Sequence, residues 1–265
     1  MEGFLGKIVT GKKKRLVEGK QYSPREVVEI FKIREGRKNP LLSSLKTLSG
    51  PNIIAEIKRA SPSRGKLIEG SFLPYLEEYE EGEAVAISVV TEEDYFKGSL
   101  EMFQEVRKFT FLPLLRKDFV IEETQIYESA QWGADALLLI ARILSRERLQ
   151  RFVYLCTLLN LVPWVEVHDE RDVEKALEAG APLIGINNRN LATFQVSLEI
   201  SEQLCREVPP SVLIVAESGI KNRADIEKLM DKGINNFLIG ETLLASPHPA
   251  EKLKELQGGA KVAQS

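Results

Sequence analysis

Four glycines, Gly82, Gly133, Gly180 and Gly233, recur at intervals of about 50 residues. Each closes a stretch of helical periodicity, and each is followed by an apolar run. A glycine in that place serves as a helix C-cap free to take positive φ, and each interval holds two strand-helix units of ordinary size. The runs that supply the strands are Ile53 to Lys58, Val85 to Thr91, Phe111 to Lys117, Ala136 to Ile140, Leu161 to Val167, Leu183 to Asn187, Val212 to Glu217 and Asn236 to Ile239. Most lack strict apolar-polar alternation, as expected when both faces of a parallel sheet are covered. Eight such units close an α/β fold of the (β/α)8 TIM-barrel kind. A doubly wound open sheet would need a Gly-rich dinucleotide turn after its first strand, where this chain has a Ser/Pro turn, Ser61-Pro62-Ser63.

A chain of 265 residues accommodates this as one domain. Residues 1–50 form an N-terminal helical extension, 51–257 the barrel and 258–265 a frayed tail. The extension reads as two helical pieces separated by Gly19 to Tyr22, the second with Ser23 as N-cap, Pro24 at its first position and Glu26 three residues on. Its basic run Lys12-Lys13-Lys14-Arg15 reads as a solvated helix face. With a net charge of −3 and 28% charged residues, nothing favours nucleic acid as a partner. Cys156 and Cys205 fall in helix-like segments without metal-ligand spacing and read as free thiols in a reducing compartment. The stretch nearest to a membrane span, Phe152 to Val165, is shorter than about 20 residues and contains Asn160 and Pro163. The N-terminus lacks the apolar run of a secretory signal. The expectation is a monomer in the cytoplasm that takes a small-molecule ligand.

Chemistry in such barrels sits where the strands end. The first run carries Glu56 and Lys58 on one face by its period of two and breaks into Ser61. The second runs into a loop whose Phe96 is placed to wall a pocket, and the third ends in Lys117-Asp118-Phe119. Later strands end in Glu166, Asn187 and Glu217. Any one of these charges alone reads as an ordinary structural group. Converging on one mouth, however, such charges interact by about 4 kcal/mol at an effective dielectric near 20. That is enough to separate pKa values into an acid and a base without a metal. His168 and His248 lack ligand spacing, and His168, at a loop start, is expected to be a cap or surface residue. Ser218-Gly219 and Gly240 follow strands seven and eight, where many barrels hold a phosphate, so a phosphorylated ligand is favoured over two simple tight turns.

Five strand-end segments, Ile54 to Ser63, Leu115 to Phe119, Glu166 to His168, Gly185 to Leu191 and Ala216 to Ile220, closely resemble the indole-3-glycerol phosphate synthase family of tryptophan biosynthesis. The likeness runs from about Ile8 to Leu256, and five matches in order are far more specific than one short motif. The resemblance implies a lyase that closes the indole ring of 1-(2-carboxyphenylamino)-1-deoxyribulose 5-phosphate with loss of carbon dioxide and water, using no cofactor. By the same resemblance Lys117 is the general acid at the keto oxygen, Lys58 a partner for negative groups of the substrate, and Glu166 the base or electrostatic partner of later proton losses. Glu56, Asn187, Glu217 and Ser218 position these groups. Ser61 and Arg189 take the benzoate carboxylate, Phe96 and Phe119 flank the aromatic ring, and Leu191 and Leu238 add apolar contacts. The resemblance also folds the extension over the barrel mouth and makes Arg59 to Leu67 a mobile loop. Some members have Ser after the glycine of strand eight, whereas this chain has Glu241. The phosphate is therefore assigned to backbone N–H groups at Gly219 and Gly240, with the Glu241 side chain in that site turned away.

Two other readings fit less well. Another phosphate-binding barrel enzyme, such as phosphoribosylanthranilate isomerase, would by resemblance want a catalytic Cys on an early strand, and both cysteines lie in helix-like segments instead. An inactive barrel serving as a binding protein has no need of so many buried charges, which are destabilising. Association with other enzymes of the tryptophan pathway is left open.

Overall fold

Eight short apolar runs, covered on both faces, form a closed wall of parallel strands. A computed structural model of the chain describes residues 3–46, 50–190 and 192–259. The strands are β1 (Asn52–Ile57), β2 (Ala86–Val90), β3 (Leu114–Lys117), β4 (Ala136–Ile140), β5 (Val162–Val167), β6 (Leu183–Asn187), β7 (Leu213–Glu217) and β8 (Asn236–Ile239). Each pairs in parallel with the next, and β1 closes the ring on β8 with Asn52 opposite Asn236 and Ala55 opposite Ile239. All eight predicted strands are present.

Inward positions such as Ile54, Leu115, Trp164, Val215 and Leu238 make a core inside the ring. Outward positions such as Ile53, Ile87, Leu137, Val165 and Phe237 pack under the helices. One step of two residues from each of those five inward positions, toward the carboxyl ends, stand Glu56, Lys117, Glu166, Glu217 and Gly240. The side chains that fill the barrel and those that line its mouth are therefore successive members of the same rows.

The extension comprises α1 (Phe4–Glu18), α2 (Pro24–Arg34) and α3 (Leu41–Leu45). Ser23 and Glu26 form the expected capping box, with Pro24 in the first turn. The extension wraps the barrel from end to end. Leu5 and Ile8 of α1 join the inner core at the mouth. On α2, the buried Arg34 donates to the carbonyls of Leu159 and Asn160, both at 2.8 Å. Asn39 donates to the carbonyls of Asp135 and Asn160 just before β4 and β5, and α3 inserts Leu41 and Leu45 into the inner core from that side.

The solvated reading of Lys12 is corrected by the structure. Its Nζ lies 2.8 Å from Oδ1 of the fully buried Asp118 and 2.9 Å from Oε2 of Glu93. Arg15 adds contacts to Glu93 and Asp94. Burial alone would raise the Asp118 carboxyl, but Lys12 and Arg116 overcome it and hold it down to about 2. A run of like charges looked like a water-facing stripe because the acids that neutralise it lie far along the chain.

The helices between successive strands are α4 (Leu73–Glu81), α5 (Leu100–Phe109), α6 (Glu123–Gln131), α7 (Arg146–Leu158), α8 (Glu170–Glu178), α9 (Glu199–Leu204) and α10 (Arg223–Met230). After β8 come α11 (Glu241–Leu244) and α12 (Pro249–Gln257). Gly133, Gly180 and Gly233 have the expected positive φ, but Gly82 does not. The left-handed residue there is Glu83, and Gly82 is required for space instead, since a Cβ on it would lie 2.6 Å from Leu253 Cδ1 of α12. Cys156 and Cys205 are free. Of the expected tail, Gly258 and Gly259 follow α12, and the rest lies outside the described residues. Among the described residues no helix is long and apolar enough to cross a membrane.

Removing the Lys12 ammonium leaves the Asp118 charge buried with one fewer partner. Lys12→Met is therefore expected to lower unfolding free energy by about 3 kcal/mol, read from urea unfolding monitored by far-UV circular dichroism. A loss under about 0.5 kcal/mol would mean that this pair does not hold the extension down.

Candidate active site

A cavity of about 360 Å³ opens at the carboxyl ends of the strands, a size that suits a small organic ligand. Phe4, Leu5 and Ile8 of α1 form part of its wall, so the extension does reach the mouth. The lining includes Glu56, Lys58, Ser61, Phe96, Lys117, Phe119, Glu166, Asn187, Arg189, Glu217, Ser218, Gly219, Leu238, Gly240 and Glu241. Every site residue named from the sequence is thus at one cavity, except Leu191, which lies outside the described residues.

At the centre of the charged cluster is a lysine held between two buried acids. Lys117 Nζ donates to Glu166 Oε2 at 3.2 Å and to Glu217 Oε2 at 3.1 Å. The other Glu217 oxygen accepts from Trp164 Nε1 at 2.8 Å. That bond explains Gly185 on β6, because a Cβ there would sit 2.0 Å from Glu217 Oε1 and 2.3 Å from the indole nitrogen. Beside this group, Lys58 Nζ lies 2.7 Å from Glu56 Oε1. Gly240 leaves room for that carboxylate, since its Cβ would come within 2.5 Å of Glu56 Oε1.

The electrostatics follow from burial and from the imbalance of one ammonium to two carboxylates. Burial pulls the Lys117 pKa down, yet the charges of Glu217, Glu166 and Glu56 outweigh it and hold the amine above the ordinary lysine value. For Glu166 burial works upward, but Lys117 and His168 bring the carboxyl below its usual range. Glu217 goes the other way: burial, reinforced by the neighbouring Glu166, pushes it up to about 7 against the pull of Lys117. Two acids on one amine are thereby separated into a carboxylate that stays ionised and a carboxyl that titrates near neutrality.

The walls differ from expectation in three places. Phe96 and Phe119 pack on each other, with centroids 6.4 Å apart and planes tilted by 37°. They therefore make one aromatic wall, because a ring seated between them would need more space than that. His168 is not at the surface: its side chain is 4% exposed, with Nε2 3.4 Å from Glu166 Oε1 and Nδ1 3.7 Å from Asp172 Oδ2. Glu241 is not turned away either. Its Oε1 accepts from Arg189 Nη2 at 3.1 Å.

The segment from Arg59 to Leu67 holds a short antiparallel pairing of Ala60–Ser61 with Gly65–Lys66, tied to the next loop where Ala60 N–H donates to the Phe96 carbonyl at 3.0 Å. That next loop is organised by Glu92, a buried acid whose carboxylate accepts the backbone N–H groups of Asp94, Tyr95 and Phe96. Sequence reasoning missed Trp164 and Glu92. A Trp two residues before Glu166 on the same strand face was a usable signal for the first. The second has none, since an acid in a polar loop reads as solvated.

A family model described as indole-3-glycerol phosphate synthase matches residues 5–256 of the chain. Curated relatives bearing the name indole-3-glycerol phosphate synthase include one from Acetivibrio thermocellus, 45% identical over 228 residues covering 84% of this chain and 87% of that protein. Another, from Desulfosudis oleivorans, is 43% identical over 261 residues, covering 97% and 99%. Among solved structures, a thiamine phosphate pyrophosphorylase from Pyrococcus furiosus matches with a TM-score of 0.59 at 16% identity, over 78% of this chain and 94% of that one, a likeness of fold alone.

The raised Glu217 pKa makes a signed prediction about stability. Its folded value of about 7 lies above the ordinary carboxyl value of 4.5. Between those limits the folded chain binds more protons than the unfolded one, so this contribution is full below pH 4.5 and is lost as pH rises through 7. The loss is on the order of 3 kcal/mol. Urea unfolding of the native protein should show it between pH 5 and pH 8, and Glu217→Gln should flatten the dependence. An equal slope in both proteins would remove Glu217 as its source.

Proposed function

The chain belongs to the indole-3-glycerol phosphate synthase family and is a carboxy-lyase of that kind, and on that premise we propose how its residues divide the reaction. The substrate, 1-(2-carboxyphenylamino)-1-deoxyribulose 5-phosphate, becomes indole-3-glycerol phosphate with loss of carbon dioxide and water. The observation that carries the assignment is the position of Lys117, an ammonium at the cavity wall gripped by two carboxylates of unlike pKa.

Lys117 is the general acid of ring closure. As the carboxyl-bearing aromatic carbon attacks the ketone carbon, the keto oxygen becomes an alkoxide. An ammonium whose raised pKa keeps it charged at neutral pH is suited to stabilise that oxygen and to give it a proton once it is basic enough to take one. Carbon dioxide then leaves with the carbon–carbon bond pair returning to the ring, which restores aromaticity without an external electron sink. Dehydration needs a base for the ring-side proton and an acid for the departing hydroxyl. Glu166, held ionised, is the base, and Lys58 and Lys117 are the ammonium groups at hand for the acid step. Glu217 keeps Lys117 in place through its bond to Trp164, and Asn187, Glu56 and Ser218 position the remaining groups.

Substrate binding divides along the cavity. The wall of Phe96 and Phe119, with Leu238, takes the aromatic ring, and Ser61 takes its carboxylate. The phosphate goes to the loops after β7 and β8, at the backbone N–H groups of Gly219 and Gly240, as in many barrels of this architecture. Arg189 reaches Glu241, next to Gly240, which supports a part for its guanidinium at the phosphate end as well. The reading extends to a cytoplasmic monomer with no nucleic-acid partner. The near balance of 36 basic and 39 acidic residues supports the last point.

Lys117→Ala is expected to lower kcat by about 10² to 10⁴, measured by the indole fluorescence that appears on mixing enzyme with the carboxyphenylamino sugar phosphate. Turnover within a factor of a few of the native enzyme would reject Lys117 as the acid.

A further inference from the structure

The carboxylate of Glu241, the first residue of α11, sits among cations beside the glycines assigned to phosphate. Its Oε1 accepts from Arg189 Nη2 at 3.1 Å and from Ser63 Oγ at 3.4 Å, and lies 3.8 Å from Lys58 Nζ. Its Oε2 lies 3.8 Å from Arg64 Nε. Arg189 also donates through Nη1 to Ser63 Oγ at 3.4 Å. These partners come from the loops after β1 and β6, while Glu241 itself opens α11 after β8. One carboxylate thus ties together three loops of the mouth.

From this arrangement we infer that Glu241 is an internal counter-anion of the phosphate end of the site, which the substrate's phosphate must displace to bind. The inference rests on the placement of that phosphate at Gly219 and Gly240. Lys58, Arg64 and Arg189 bring three positive charges, set against the two negative charges of Glu56 and Glu241. Adding a phosphate dianion with Glu241 in place would reverse the sign of the cluster. It would also set two anions in competition for the same N–H and O–H donors, an arrangement that like-charge repulsion disfavours. With Glu241 swung away, the phosphate and Glu56 together meet the three cations. The Glu241 side chain is already 23% exposed, so water can solvate it once it leaves.

The consequence is selectivity. A weak or singly charged anion gains little by exchanging with a carboxylate that is already well bound, whereas a phosphate ester dianion anchored through the rest of the substrate gains enough to replace it. Glu241 therefore acts as a specificity-determining residue that keeps small anions of the medium out while holding Arg189 and Ser63 in the geometry the phosphate will use.

This role gives a sign opposite to that of a structural tie. If Glu241 merely braces the loops, neutralising it loosens the cluster and weakens anion binding. If it competes with phosphate, neutralising it strengthens binding. The test is competitive inhibition of ring closure by inorganic phosphate in the native enzyme, in Glu241→Gln and, in case that variant folds poorly, in Glu241→Ser, with Glu241→Asp as the charge-retaining control. The inhibition constant should fall about tenfold in the neutral variants, with KM for the substrate falling in step, and should stay near the native value in Glu241→Asp. An inhibition constant unchanged or raised in the neutral variants overturns the counter-anion role and leaves the phosphate placement standing. Phosphate that competes with substrate in none of the proteins overturns the placement, and the inference with it.

Discussion

An ammonium shared by two buried carboxylates sets the terms for the rest of this molecule. Ionised groups in a barrel interior are strongly disfavoured unless each is paired and hydrogen-bonded. Lys117, Glu166 and Glu217 meet that condition only because β3, β5 and β7 place them at one level of a closed ring. The pairing is unequal by one charge, and the inequality is useful. The two carboxylates raise the amine, Lys117 and His168 lower Glu166, and burial with the charge of Glu166 raises Glu217, so that a single cluster contains an ammonium, a carboxylate and a group that titrates near neutrality.

Space around the cluster is controlled as closely as charge. Gly185 and Gly240 are glycines because carboxylates occupy the volume that a side chain would take. Trp164 fills the barrel below the cavity and donates its one N–H upward to Glu217, so that the apolar core orients the charged layer above it. His168 stands behind Glu166 with Asp172 beyond it, within the same buried layer. The extension closes the assembly from outside. Lys12 clamps α1 to Asp118, the neighbour in sequence of Lys117, so the extension is anchored one residue from the central amine of the cavity.

Much of the architecture was legible because periodicity is local. Eight strands were read from runs that are apolar because both faces are covered, and the largest discrepancy was at Phe111 to Pro113, three apolar residues that precede β3 as loop. The capping box at Ser23 was legible for the same reason. The helix α3 was not, since five residues make too short a pattern to show a 3.6-residue period. Gly82 was read as a conformational glycine and proved to be a steric one, a distinction set by α12 from the other end of the chain.

By itself, then, the sequence determined the strand count, the closed topology and the identity of the charged groups at the mouth, since alternation places each side chain on a known face of its own strand. Only the tertiary structure decided which charge faces which. Lys12 turned out to be buried, His168 to back Glu166, and Glu241 to hold Arg189. The reason is physical: whether a charged side chain is solvated or paired depends on neighbours within about 4 Å in space, and those neighbours come from segments that local pattern cannot bring together.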